Sequence, residues 1–387
     1  MNNAKKLAKN GGIGTENKAG GTGGSFISSK NKILLMIGIA VVIILCAGVF
    51  YMRLRPRPIL KVTGTDSNGS EVTNTVYIKD AVFDIYQVEA QYNQYSSFYQ
   101  QLYGSTYWEM EDADGEGRTG ASAAKKQVMD AIKQREILCM EAEKLGYSLT
   151  DEEKKAVAEN VKTSMENLTD AQKKMDGMDE DTITKNFEKN ALAEKYRQVV
   201  IAECNIDTQS LEAGVSKEDY HQYTLQYYKV SNKDGSGDDA ADVSAEQKDT
   251  NLNNMKALQE KAKTAEDFTK LLEENDKTGI QAVQTEKLIA KDMDDSTFLT
   301  KKLRKKLIKM KNGDISDVIE GEDGYYLVRM ENNDDSEAYD DQCKSVVEEE
   351  ETNQFNARYQ EFSAAYTTEV QSYWKGRVKL GSYTTAE

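Results

Sequence analysis

Side chains that most often carry catalysis are scarce in this sequence. His221 is the only histidine in 387 residues. That removes most zinc sites and any Ser-His-Asp or Cys-His scheme dependent on a second imidazole. It sits beside an expected strand start and reads as a solvated polar residue. Cys46, Cys139, Cys204 and Cys343 show no C-x-x-C and no metal-like spacing, and three cysteines outside the apolar run around Cys46 cannot all pair, so no disulfide framework is implied. Asp112, Asp114, Glu116 and Gly117 partly fit a calcium loop, but Ala123 stands where a bidentate Glu is needed. The segment reads as a plain acidic loop, and no metal site is expected. Aromatic chemistry is what remains. Ile85, Val88, Tyr92, Tyr95, Tyr99 and Leu102 recur at spacings of three and four, on one helix face. Such a face is either core or a surface on which Tyr92, Tyr95 and Tyr99 grip unfolded chains.

The elements that would position these residues start with a membrane candidate. Residues 33–52 form an uncharged apolar run of 20, long enough to cross roughly 30 Å of hydrocarbon as a helix. No A-x-A-like cleavage site follows, so the run reads as a retained single-pass anchor rather than a removed signal. The basic residues flanking it are nearly balanced and do not set its orientation. Residues 1–58 hold nine basic residues and one acid, which leaves −24 on residues 59–387 out of a total of −16. A portion so acidic excludes nucleic acid, whose phosphates it would repel. The only prolines, Pro56 and Pro58, read as a stiff spacer beyond the span. Helical periodicity then fills residues 80–205, with Thr150-Asp151-Glu152-Glu153 as a capping box and a further helix from about Asp181 to Glu203.

Near residue 220 the pattern changes to a strand, Tyr223 to Ser231, followed by a Gly/Asp/Ser/Ala tract. Helices are expected over 251–263, from Thr264 through Leu272, and over about 296–310, the last with Phe298, Leu299, Leu303 and Leu307 inward and the basic run KKLRKK outward. A turn at Asn312-Gly313 and a strand ending at Met330 close a β-α-α-α-β order. A final helix from Ser336 to about Trp374 is expected to return to the N-terminal helices.

This order resembles the parvulin (PpiC) family of peptidyl-prolyl isomerases, and the whole chain resembles extracytoplasmic foldases of the PrsA and SurA type. The resemblance rests on Phe268-Thr269-Lys270-Leu271-Leu272, on Met310 to Val318, on Gly324-Tyr325-Tyr326-Leu327-Val328, and on the helix junction Glu141 to Glu153. It implies an α+β chain with a single transmembrane helix and a mainly helical chaperone domain. The N- and C-terminal segments of that domain pack together around an inserted parvulin-like domain. The corresponding divisions are a cytoplasmic tail 1–32, the span 33–52, a linker 53–72, the chaperone domain 73–218, the parvulin-like domain 219–332 and a returning helix 333–387. Unfolded or newly secreted polypeptides would be the partners, at the cell membrane with the bulk of the chain outside. Oligomeric state stays open.

Isomerising an X–Pro amide needs no cofactor, since it only lowers a rotational barrier of about 18–20 kcal/mol. The resemblance assigns Met293 and Phe298 to a proline pocket and Asp276 to a position beside the amide. The two histidines of the family would fall at Tyr227 and Tyr326, and Gly279 to Val283 replaces its glycine loop. Tyrosine can donate and accept but cannot reproduce an imidazole network, so binding is expected to outweigh turnover. The open alternatives are an active isomerase that uses Asp276 and the tyrosines, and a helical scaffold or signalling protein unrelated to the family.

Overall fold

A computed structural model describes residues 56–111, 118–235, 240–273 and 276–384. The apolar run 33–52 and the acidic loop with Asp112, Asp114, Glu116 and Gly117 lie outside the described residues. No helix among the described residues is long and apolar enough to cross a membrane.

The described chain opens with strands where a linker was expected. β1 (Pro58–Thr65) and β2 (Glu71–Tyr77) form an antiparallel hairpin. Its turn is set by Asp66, whose Oδ1 accepts from the backbone N–H groups of Asn68 and Ser70, and by Gly69 at φ 76°. A left-handed residue there favours glycine. Ile59, Leu60 and Val62 are completely buried, which no exposed spacer would permit. They pack on Ile85 of α1 (Ile78–Asn93), which a short break separates from α2 (Ser96–Tyr103), and on Val128 and Ile132 of α3 (Gly120–Lys144).

α4 (Asp151–Asn167) opens on the expected capping box, with Thr150 Oγ1 accepting from Glu153 N–H and Thr150 N–H donating to Glu153 Oε2. α5 (Glu180–Glu203) lies against α3 and α4, and the short α6 (Thr208–Ala213) leads out of the helical layer. The helices are also tied by charge. Arg135 donates to both carboxylate oxygens of Asp84 at 2.8 and 2.9 Å.

The second layer is a four-stranded antiparallel sheet, in which the strands Gln284–Ile289, Gln222–Ser231, Gly324–Asp335 and Ile319–Glu320 lie side by side in that order. β3 is Gln222–Ser231, and a two-residue ribbon β4 (Lys233–Asp234) and β5 (Ala241–Asp242) leads to α7 (Ala245–Ala262). The helix expected from Thr264 is only a 3-10 turn, Phe268–Lys270, because Asp267 caps Thr269 N–H and Tyr228 O–H donates to the Phe268 carbonyl. Then follow β6 (Gln284–Ile289), α8 (Lys301–Leu307), β7 (Ile319–Glu320) and β8 (Gly324–Asp335). α8 starts five residues later than expected, since Leu299 has φ 54°, outside the helical region.

One face of the sheet carries Tyr228, Val230, Tyr325 and Leu327 against Met255 and Leu258 of α7. The other carries Leu225, Tyr227, Tyr326 and Val328 against Met293, Phe298 and Leu307.

The closing helix, α9 (Glu337–Ser363), returns to the first layer, where Phe355 and Phe362 pack with Leu138, Tyr196 and Val200. It stops eleven residues before Trp374. The chain turns instead into β9 (Thr367–Val370), which pairs with β1, and then into α10 (Ser372–Arg377). The first sheet therefore runs β2-β1-β9. Gly64 makes the corner possible, since a Cβ there would lie 2.3 Å from the Tyr366 ring.

Candidate functional site

The candidate site lies on the Tyr227 face of the second sheet. Residues two apart on a strand share a face, so Leu225, Tyr227 and Lys229 of β3 line up. Tyr227 stands opposite Gln284 of β6 and Val328 of β8, and Lys229 stands opposite Tyr326. The Tyr227 and Tyr326 rings are 5.8 Å apart at 42°, and Phe298 meets both, tilted against Tyr227 at 4.9 Å and edge-on to Tyr326 at 6.0 Å. Met293 and Phe298, the expected pocket pair, do share this cluster. Each is only 8% exposed, so they fill the space against the tyrosines.

The hydroxyls point elsewhere. Tyr227 O–H donates to Gln284 Oε1 at 2.6 Å, and Tyr326 O–H donates to Asp323 Oδ1 at 2.6 Å. Lys229 Nζ closes on the second oxygen of Asp323 and sits 5.4 Å over the Tyr326 ring. Burial, reinforced by the Asp323 carboxylate, pushes the Tyr326 phenol up, so it stays neutral. Partial burial acts to raise Asp323, but the bonds from Lys229 and Tyr326 outweigh it and hold the carboxyl below its usual range. On β6, burial raises Glu286, and the Arg304 charge offsets only part of this.

Arg304 organises the cover of the site. Sequence reading placed it in a solvated basic run, whereas it is 3% exposed and donates to the carbonyls of Met293 and Phe298, both at 3.0 Å, and of Leu299. Three carbonyls facing one guanidinium fork satisfy a buried charge that would otherwise be costly. The available signal was its spacing of three from the inward Leu307. Lys229, Asp323, Gln284 and Glu286 were also missed, although Lys229 is two residues from Tyr227 and Asp323 three from Tyr326.

Asp276 stands apart. It is exposed and accepts from Thr278 N–H at 2.8 Å, a local turn that holds its carboxyl below the usual range. Ile280, just beyond, bridges to Val230 and packs on the opposite face of the sheet. No hydrogen bond joins Asp276 to Tyr227 or Tyr326. His221 is likewise outside the site, with Nε2 2.8 Å from the Asn333 carbonyl oxygen, so it is tied to backbone rather than simply solvated.

The aromatic stripe of the first layer divides into core and surface. Tyr92 stacks on Tyr107 at 4.3 Å, and Tyr99 lies 5.9 Å from the same ring. Tyr95 is 56% exposed, and Phe98, Leu102 and Tyr103 of α2 are similarly open. The exposed set thus joins Tyr95 and Leu102 of the stripe and Phe98 beside it to Tyr103, which the sequence pattern did not single out.

Among protein families, residues 223–342 match the PPIC-type PPIASE domain and residues 25–203 match the SurA-like N-terminal domain. The chain joins a SurA-like N-terminal domain to a PpiC-type isomerase domain. The unrelated-scaffold reading falls with this match and with the four-stranded antiparallel sheet. Among solved structures, the chain is similar to foldase PrsA from Streptococcus pneumoniae, at 17% identity over 69% of this chain and 96% of that one with a TM-score of 0.24. It is similar to PrsA from Bacillus subtilis at 15% identity, over 67% and 92%, with a TM-score of 0.21. It is also similar to a SurA-like chaperone of Campylobacter jejuni at 12% identity, over 69% and 95%, with a TM-score of 0.27. Comparison with curated proteins gives no match.

Within the PpiC-type domain, the arrangement offers neutral phenols whose protons are already committed. Lowering an amide rotation barrier calls for preorganised donors aimed at the twisting group. Here the donors aim at Gln284 and Asp323.

Proposed function

We propose that the chain is a membrane-anchored extracytoplasmic chaperone that binds unfolded or newly secreted polypeptides, with a PpiC-type domain that holds proline-containing segments and isomerises them weakly or not at all. The observation that carries the binding-over-turnover reading is the commitment of both tyrosine hydroxyls, Tyr227 to Gln284 and Tyr326 to Asp323. The exposed side chains Tyr95, Phe98, Leu102 and Tyr103 support a client surface on the SurA-like domain, since an apolar patch of this kind marks an interaction site. The apolar run 33–52 supports the anchor, and long domains translocate despite a weak flanking charge bias.

Two assays on the full chain test the reading. Aggregation of a reduced, unfolded protein should slow in its presence, while cis/trans exchange of an X–Pro peptide should stay near the uncatalysed rate. Tyr227→His and Tyr326→His are introduced together, because residues in one network are not additive, and the pair should gain exchange activity. Exchange as fast as that of ordinary isomerases in the wild type, lost on Asp276→Ala, would establish the active enzyme instead. Protease shaving of intact cells should remove residues 59–387, and their survival would place the domain in the cytosol.

A further inference from the structure

The C-terminal segment carries a charge opposite to that of the chain around it. Residues 59–387 have a balance of −24, yet Lys375, Arg377 and Lys379 alternate along a stretch with no acid between Ser372 and Thr384. Trp374, Val378 and Leu380 take the inward positions, at 3%, 1% and 5% exposure, which leaves the three cations in solvent. None of the three forms an ion pair with a described residue.

This segment folds back onto the start of the described chain. Gln371 N–H donates to the Ile59 carbonyl at 2.8 Å, and Arg57 donates to the Tyr373 hydroxyl at 2.8 Å with its guanidinium 5.2 Å over that ring. Only Arg53, Leu54, Arg55 and Pro56 separate Arg57 from the apolar run ending at Met52. Five residue steps of chain reach at most about 18 Å. The basic segment therefore sits where the chain leaves toward the apolar run.

We infer that Arg57, Lys375, Arg377 and Lys379 form a face that docks on anionic phospholipid headgroups of the membrane in which residues 33–52 are anchored. The inference rests on the anchored reading above. Clusters of four or more cations beside a membrane segment are attracted by anionic lipid, within a Debye length of about 8–10 Å. The neighbouring acids are Glu369 on β9, Asp176 beside Tyr383, and Glu89, which is fully buried behind the segment and accepts from the N–H groups of Gly381, Tyr383 and Thr384; four exposed or half-exposed cations outnumber them and leave the face positive. The remaining acidic surface is repelled, so the two poles turn the SurA-like domain with its C-terminal segment down.

The test is brief acetylation of lysines in the full chain, reconstituted in phosphatidylcholine vesicles with or without a third of phosphatidylglycerol, read by mass spectrometry. Lys375 and Lys379 should react several-fold more slowly on the anionic vesicles, Lys305 of the isomerase domain should not change, and 0.5 M salt should abolish the difference. Equal labelling on both vesicles overturns the docking. So does protection by soluble polyphosphate where vesicles give none. Carbonate extraction reads the anchor separately: an unextractable chain with unprotected lysines refutes the docking alone. An extractable chain labelled equally on both vesicles refutes the docking and the anchor.

Discussion

Replacing Arg304 with Met removes the clamp on the segment that carries Met293 and Phe298. The guanidinium serves three carbonyls, and Met keeps the apolar stem while supplying no donor. Each buried acceptor left without a partner costs about 1–3 kcal/mol. Part of this is returned, because a buried cation no longer pays its own desolvation of several kcal/mol, and water can reach the partly buried Leu299 carbonyl. A net loss of about 3 kcal/mol is reasonable, which at 1.36 kcal/mol per tenfold corresponds to about 150-fold in a local opening constant. Hydrogen exchange of the full chain, followed on peptides covering residues 293–310, should therefore accelerate by about two orders of magnitude. Lys305→Met, at an exposed position of the same helix, should change exchange by less than about threefold. If Arg304→Met also stays within threefold, the three carbonyls do not depend on the guanidinium and Arg304 is not the organiser of the cover.

Gly64→Ala should destabilise the first layer by about 1–3 kcal/mol in denaturant unfolding, since the added Cβ meets the Tyr366 ring; an unchanged midpoint contradicts this. Asp323 is held below its ordinary pKa, so its contribution to stability is full above about pH 4 and is lost as the pH falls through the folded-state value. Asp323→Asn should flatten the acid limb of β8 exchange, and an equally steep limb argues against the Lys229–Asp323–Tyr326 network. Glu286 is shifted the opposite way, so its ionisation costs stability as the pH rises past the ordinary glutamate value. Glu286→Gln should therefore stabilise β6 at pH 7 and do little at pH 4; a loss at pH 7 shows that the carboxylate is favourably paired. Serine at Tyr95, Phe98 and Leu102 together should weaken aggregation suppression without changing helical content, and full suppression would place the client surface elsewhere.

Local signals were read well where the cause is local. The Thr150 capping box needs only residues 150–153; Tyr227 and Tyr326 were singled out by the family resemblance, and the pairing of β3 with β8 puts them on one face. The misses share a different cause. β1 looked like a spacer because its partners include β9, and nothing near Leu60 in sequence announces Val370. β6 was missed because Leu288 is its only buried residue. Arg304 was misread because a guanidinium amid lysines looks solvated until the Met293, Phe298 and Leu299 carbonyls converge on it. Tyr95 and Tyr92 lie on one helical stripe, yet only the second meets a partner ring, and periodicity alone does not say where packing stops.

The central place of β1 sets an order of events during synthesis. Leu60 pairs with Val370, 310 residues later, while the isomerase sheet closes within the contiguous stretch from Gln222 to Asp335. At about 5–20 residues per second, β1 waits roughly 15–60 s after leaving the ribosome before its second neighbour exists. Through that interval it presents an open edge beside an incomplete core. The inserted domain can fold first, and the part proposed to meet clients is the last to be finished. A nascent copy is thus, for a time, an unfolded polypeptide of the kind that mature copies are proposed to hold.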